Sequence, residues 1–432
     1  MSCIERVAFR FPVFAASAFL LSAGCQTGGG GGGGGGADNA NQNDNAAPGP
    51  LSAKFDLWST GVHLRGANVF QRRVHPELDG TEFLGTGPIG PPYTQEDFDE
   101  LAALGANYVN LSHPGLFVEP APYRLDLSIQ ANLDRLIDMA EAADLFVVIS
   151  FRTGPGRSEF AIYEGQDWFP QELVNNEVWT SQEAQDAWVR MWEYTAEQYA
   201  GRNVVVGYDL MVEPNGSSTI FGTFDPEEFY AEHAGSLADW NQLHPRLSAA
   251  IREVDADTPI LTSAMSYGSL YWLPYLEPTG DKRTVYTVHH YEPFAFTHQD
   301  PAAGVAYPGA IDTGNGQEEV NQDWLEPLLA PIDAFRAEHG APVAINEFGV
   351  MRWSPGAAAY FTDQAELFEA RGINHALWLW ECSHPPLAEF DDFNFRHGPD
   401  PANHADVANS TLQAAIEAAW SRNTDRPSTM EE

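Results

Sequence analysis

The sequence predicts an α/β fold of the (β/α)8 TIM-barrel class, folded as a single domain, and three observations carry that reading. From Leu51 onward, short β-branched or apolar runs alternate with longer amphipathic segments, the pattern of parallel strands joined by crossover helices. The runs number eight, in a stretch too long for a small sandwich and comfortable for one large barrel. No glycine-rich phosphate loop follows the first run, which favours a closed barrel over a doubly wound sheet.

The expected strands are GVHLRGANV from Gly61, ANYVNLS from Ala106, LFVVISF from Leu145, VVVGYDLM from Val204, PILTSA from Pro259, VYTVHHY from Val285, PVAINEF from Pro342 and NHALWLW from Asn374. Helices are expected over Gln95 to Leu104, where Thr94 and Asp97 form a capping box, and over Ile129 to Ala143, Glu183 to Ala200 and Pro226 to Val254. Three more are expected over Trp324 to His339, Gly356 to Ala370 and His404 to Ser421. The link between the fifth and sixth strands lacks a convincing long helix.

Ahead of the barrel, Arg6 and Arg10 precede an apolar run from Phe11 to Leu21 and small residues ending at Cys25, the signature of a signal peptide over residues 1–24. The approach to Cys25 resembles a lipobox, with Ser22 where Leu is usual, so Cys25 is the expected lipidation site and an exported, envelope-anchored protein is expected. Ordinary cleavage near Ala23, releasing a soluble protein, is the alternative. Residues 25–50, with an unbroken run from Gly28 to Gly36, lack apolar periodicity and read as a flexible tether. The folded domain is expected over 51–422, with a disordered tail over 423–432.

The chain carries 61 Asp and Glu against 22 Lys and Arg, a formal net charge of -39, which argues against a nucleic-acid partner. Such a coat suits a salty medium, and equally a plain solubility requirement. The body holds one cysteine, Cys382, so no disulfide can form within it and a structural role is expected. No cofactor is implied, and a monomer is expected.

In this fold, chemistry sits where strands end. The fourth strand ends in GYDLMVEPNG and the seventh in VAINEFGV, which puts Glu213 and Glu347 at two strand exits across one barrel mouth. Cleaving a glycosidic bond near neutral pH needs one carboxylic acid to protonate the leaving oxygen and one carboxylate at the anomeric carbon. The pair is therefore the candidate catalytic site of a glycoside hydrolase. Adjacent His289 and His290 point to opposite faces of a strand, so both cannot ligate one ion, and no metal site is assigned. Trp188 and Trp192 read as core, while Trp168, in EGQDWFP, is a subsite candidate.

These strand ends resemble glycoside hydrolase family 5, the cellulase family, over roughly Leu51 to Ser421. The resemblance places the acid/base at Glu213 and the nucleophile at Glu347. VYTVHHYEPFAFTHQ is similar to the family's sixth-strand pattern, which makes His289 a substrate-side residue and Tyr291 the hydrogen-bond partner of the nucleophile. Trp380, in LWLWE, occupies the place of the Trp beneath the sugar. It implies a retaining enzyme acting on a β-linked polysaccharide or oligosaccharide, of endo-β-1,4-glucanase or β-mannanase type. The chain departs from the pattern at Val212, where Asn is usual, at Asn110, where Arg is usual, and at Arg152, which stands in place of a His in FRTGPGR. Asn110 and Arg152 are accordingly expected at the substrate, with Arg152 supplying the missing cation or pairing with Glu159. His113 either touches substrate or packs. Two other readings fit the sequence: a non-catalytic cell-surface carbohydrate-binding barrel, and a metal-dependent barrel hydrolase.

Overall fold

A computed structural model describes residues 54–80, 84–383 and 391–430. The expected signal peptide, the lipidation site Cys25 and the tether lie outside them. Eight parallel strands close a barrel: β1 (Arg65–Phe70), β2 (Tyr108–Pro114), β3 (Phe146–Thr153), β4 (Val205–Asp209), β5 (Ile260–Ser263), β6 (Thr284–His290), β7 (Val343–Phe348) and β8 (His375–Trp380). β1 pairs with both β2 and β8, which completes the closure. All eight strands fall within a residue or a few of their expected places.

The helices pack outside: α1 (Gln95–Ala103), α2 (Leu127–Ala142), α3 (Gln182–Tyr199), α4 (Pro226–His233), α5 (Trp240–Val254), α6 (Ala330–His339), α7 (Ala357–Arg371) and α8 (Thr411–Trp420). Apolar side chains in α3 recur every three or four residues, so Trp188, Met191, Trp192 and Tyr199 all face the barrel. Its two tryptophans also donate inward, Trp188 Nε1 to the Pro155 carbonyl at 2.7 Å and Trp192 Nε1 to the Leu210 carbonyl at 2.9 Å. The capping box of α1 forms as expected, with the Asp97 carboxylate accepting from the Thr94 backbone N–H at 2.7 Å.

Three expectations are corrected. The single helix over Pro226 to Val254 is two, because the chain turns at Gly235 (φ +75°) and Asp239 caps α5 by accepting from Asn241 N. The helix expected from His404 begins only at Thr411, after the Ser410 cap. His404 instead bonds Asp391 at 2.9 Å in a knot around buried Arg352. The tail is ordered through Met430: Asn423 donates to the carbonyls of Arg65 and Gly105, Ser428 caps onto Asp144, and Met430 packs against the barrel floor. Between β5 and β6 there are only short helical turns, Met265–Gly268 and Leu270–Tyr275.

The barrel interior is layered. Leu64, Tyr108, Phe146, Val148, Val206, Leu261, Val285, Ala344 and Ala376 form an apolar floor, sealed from below by Trp58, whose indole donates to the Val206 carbonyl at 2.9 Å. Burying each large apolar side chain contributes roughly 1.5–3 kcal/mol, so the floor anchors the polar layer above it. That layer is Asn68, Asn110, Ser150, Asp209 and Asn346, joined by hydrogen bonds across the barrel. The mouth lies above. Cys382 is buried in the outer core.

Candidate active site

Strand alternation sends every second side chain into the barrel. On β3 the inward series Phe146, Val148, Ser150 ends at Arg152, and on β6 the series Val285, Thr287 ends at His289. On β7 the register shifts by one residue between Ile345 and Glu347, and this brings Glu347 beside His289. Glu213 lies just past β4 with a left-handed backbone, φ +53°. For a residue with a Cβ this costs about 1–3 kcal/mol, and it is found where surrounding contacts hold it in place.

The two carboxyls converge on one imidazole. His289 Nδ1 is 3.0 Å from Glu213 Oε1 and 3.6 Å from Glu347 Oε2. One ligand atom from each of the three side chains lies within 4.8 Å of the other two. Tyr291 donates its hydroxyl to the second oxygen of Glu347 at 2.8 Å. The Glu347 side chain is 7% exposed and that of Glu213 25%, so one carboxyl is deep and the other faces the opening.

Burial raises Glu347 above the ordinary carboxylate range and the negative Glu213 adds to this, while His289 and Arg152 pull the other way. Burial would also raise Glu213, but the hydrogen bond and charge of His289 outweigh it and leave that carboxyl lowered. The two carboxyls lie close enough that their titrations belong to the pair rather than to either residue. Burial alone would lower His289, and Glu347 and Glu213 overcome it to leave the imidazole raised. Burial and the repulsion of Glu347 hold Tyr291 well above its usual value, so its hydroxyl stays a donor. Beneath the pair, burial pushes Asp209 up to about 6.

Tyr291 is set by its own loop. Thr297 Oγ1 donates to the Tyr291 carbonyl at 2.6 Å, and Gln299 closes the following turn through the carbonyls of Phe296 and Val305. The Thr-His-Gln run is thus a scaffold for Tyr291, and the ring of His298 stands 5.0 Å from that of Tyr291.

Arg152 touches both alternatives considered for it. Its Nε is 3.2 Å from Glu159 Oε1, and its charge also acts on Glu347 and Glu213. The guanidinium lies over Phe70 (5.4 Å) and Trp378 (5.2 Å).

Two expected substrate residues, Asn110 and Trp380, lie elsewhere, and of the two readings of His113 the structure supports packing. Asn110 is in the polar layer below the mouth, donating to Asn68 at 2.7 Å and accepting from Ser150. The β2 side chain beside Arg152 is Ser112, at 3.3 Å. His113 has the opposite parity, so it leaves the barrel and packs toward α2, with its Nε2 3.2 Å from Asn132. Burial drives it down to about 3. Trp380 is also turned outward, beneath Arg396 (4.2 Å) and beside Phe395. The cause is an extra residue in β8: where β1 advances from Ala67 to Val69, its partner advances from Leu377 to Trp380. The alternation reverses there, and Trp378 faces the mouth, in a cluster with Phe70, Tyr291 and Phe393.

Trp168 stands on the loop after β3, 57% exposed and against Tyr163 and Phe169. His290 faces away from His289 and bonds Glu292 at 2.9 Å. Among the described residues, the side chains grouped as metal ligands could be are Glu213, His289 and Glu347 themselves, already engaged with one another.

A parallel barrel with a buried carboxylate pair across its mouth, an imidazole between them and an aromatic floor beside them defines a glycosidase-type site. The comparisons agree: the family described as "Cellulase (glycosyl hydrolase family 5)" matches residues 65–383. The chain belongs to glycoside hydrolase family 5, and it is a glycosidase of the cellulase family. It is 24% identical to Endoglucanase C of Acetivibrio thermocellus over 325 residues, 67% of this chain and 84% of the relative. It is 21% identical to Cellodextrinase A of Ruminococcus flavefaciens over 60% of this chain and 68% of that one. Its fold matches endoglucanase Cel5A of Thermotoga maritima with a TM-score of 0.59 and 19% identity, covering 84% of this chain and 99% of the other. Structures of that endoglucanase are described in complex with cellobiose and with mannotriose.

Proposed function

We propose that this glycosidase cleaves a β-1,4-linked glucan or a related β-linked polysaccharide by double displacement with retention. The observation that carries the reading is the closeness of Glu213 and Glu347, whose nearest oxygens lie within 4.8 Å across His289. Carboxyl groups about 5–5.5 Å apart leave room for a covalent glycosyl-enzyme, whereas inversion needs space for a water between them.

Glu347, deep and held by Tyr291, attacks the anomeric carbon, and Glu213, at the opening, gives its proton to the leaving oxygen. A glycosidic oxygen against Glu213 gives a protonated Glu213 an acceptor, and positive charge developing at the anomeric carbon favours ionised Glu347. Water then attacks the glycosyl ester, and Glu213 takes its proton. Trp378 offers a ring to the apolar face of a pyranose.

The anomeric configuration of the first-formed product, followed by NMR on a cellooligosaccharide, tests the reading, and an inverted product rejects it. Glu213→Ala should keep activity on substrates with good leaving groups and be rescued by azide with retained configuration. A polysaccharide panel that includes β-glucan and β-mannan identifies the sugar. Anchoring at the cell envelope through Cys25 is part of the proposal. Cys25→Ser should leave the membrane fraction, because stable anchoring rests on acyl chains.

A further inference from the structure

The mechanism above requires Glu213 to be aimed at the glycosidic oxygen, yet Glu213 lies past the end of its strand, outside the ladder that fixes β4. Its φ of +53° is one that a side-chain-bearing residue rarely adopts. Something must hold it, and the side chain in position to do so is Arg157.

Arg157 follows β3 by one tight turn. Its backbone N–H donates to the Gly154 carbonyl at 2.9 Å and its carbonyl accepts from Gly154 N at 3.0 Å. Gly156, at φ +68°, sits so close to Ala184 and the Val178 backbone that a Cβ there would meet both at 2.8 Å. The turn sends the guanidinium inward, where it is buried. Nη1 donates to the Arg152 carbonyl at 2.7 Å and to the Val212 carbonyl at 2.8 Å, and Nη2 donates to the Glu213 carbonyl at 2.7 Å. One planar cation thereby ties the exit of β3 to both peptide carbonyls flanking the unusual φ. From the other side, the Tyr267 N–H donates to the Pro214 carbonyl at 3.2 Å, out of a turn in which Ser266 and Tyr267 are themselves left-handed.

We infer that Arg157 is a positioning residue for the acid/base step: by binding the carbonyls of Val212 and Glu213, it holds the Glu213 carboxyl over the mouth while fixing it to the strand that carries Arg152. The inference rests on the reading of Glu213 as acid/base. A rigid fork suits this task, since its donors lie in one plane at fixed separations, whereas an ammonium is a point charge on a flexible stem.

The test compares Arg157→Met, Arg157→Lys and Glu213→Ala on aryl β-cellobiosides whose leaving groups run from 2,4-dinitrophenolate to phenolate, with melting temperatures to establish folding. A misplaced acid harms only substrates that need protonation, and a positioned acid contributes about 10²–10⁴-fold. Arg157→Met should therefore lose about 100-fold in kcat/KM on the phenyl substrate and less than about 5-fold on the dinitrophenyl substrate. Arg157→Lys keeps the charge and should show a slope of the same sign but shallower. The basic limb of the kcat/KM profile should move to higher pH in Arg157→Met, because losing a nearby cation favours the protonated carboxyl.

An equal loss across leaving groups, or no loss, in folded Arg157→Met or Arg157→Lys overturns the inference if Glu213→Ala itself shows the slope. If Glu213→Ala shows no slope, the acid/base reading fails and the inference fails with it.

Discussion

Glu213 and His289 meet at 3.0 Å although β5 separates the strands that carry them. The same nitrogen is 3.6 Å from Glu347, so one imidazole serves both carboxyls. It sits between them, and their negative charge holds its imidazole above the usual histidine value. Replacing it with a neutral side chain should disturb both steps of the reaction. His289→Asn is expected to lower kcat by about 100-fold, within the range for loss of a positioned proton-transfer partner, on good and poor leaving groups alike.

The same relationship has a consequence for stability. Because the folded His289 is raised above its unfolded value, the stabilisation it gives is complete below the unfolded pKa near 6.5 and is lost as pH climbs through the folded value. Melting temperature should fall from neutral into alkaline pH more steeply in the native chain than in His289→Asn. Parallel curves reject the linkage.

On the acid side, other histidines act. Burial drives His113 and His244 each down to about 3, so both are neutral in the folded chain and protonate readily once it unfolds. Stability from such groups is present above the unfolded pKa and drains as pH falls below it. At pH 5 the loss is about 2 kcal/mol for each histidine. Chemical denaturation at pH 7 and pH 5 should show this loss shrinking in His113→Asn, with no change in KM, since His113 faces α2.

Trp378 rather than Trp380 stands at the mouth, and substitution separates the two. Trp378→Ala removes the ring at the mouth and should raise KM or lower kcat/KM about 10-fold on cellooligosaccharides, with a modest change in melting temperature. Trp380→Ala opens a cavity beneath Arg396 and should cost about 3–5 kcal/mol of stability. Should Trp380→Ala instead impair catalysis in a protein of native stability, the placement of these two rings is wrong.

The barrel was legible because its strands are near-continuous apolar runs, the mark of strands buried on both faces, and their exits led directly to Glu213 and Glu347. Strict alternation is where the reading ran out. Extra residues in β7 and β8 reverse which side chains enter the barrel, and nothing in NEFGV or HALWLW marks them. Asn110 and His113 are a different case: three apart on one strand, they cannot both face inward, and counting inward from Tyr108 would have pointed to Ser112. Nothing in FRTGPGR singles out Arg157. Its role depends on a turn of two glycines and a proline that folds it back under Glu213, a long-range contact that no local pattern encodes. The docking of residues 423–430 likewise rests on capping bonds to distant carbonyls.

Arg152 carries the last prediction. It sits between Glu159, bonded at 3.2 Å, and the Glu213–Glu347 pair, whose charges it feels. As the proposed nucleophile Glu347 has to be ionised, and burial works against that, with Arg152 among the groups opposing burial. Removing the cation should therefore raise the acidic limb of the kcat/KM profile, by roughly 1 unit for a neighbouring opposite charge, and lower turnover at pH 5 more than at pH 7. Removing its competitor should do the reverse: in Glu159→Gln the guanidinium is no longer neutralised from the loop side, the field at Glu347 becomes more positive, and the acidic limb should move down. In the double variant the effect of Glu159→Gln should vanish, because it acts through Arg152. The measurement is four pH profiles on an aryl β-cellobioside, for the native chain, each single variant and the double variant. A shift in Glu159→Gln that survives in the double variant would assign Glu159 a direct effect on the pair and remove Arg152 as the intermediary.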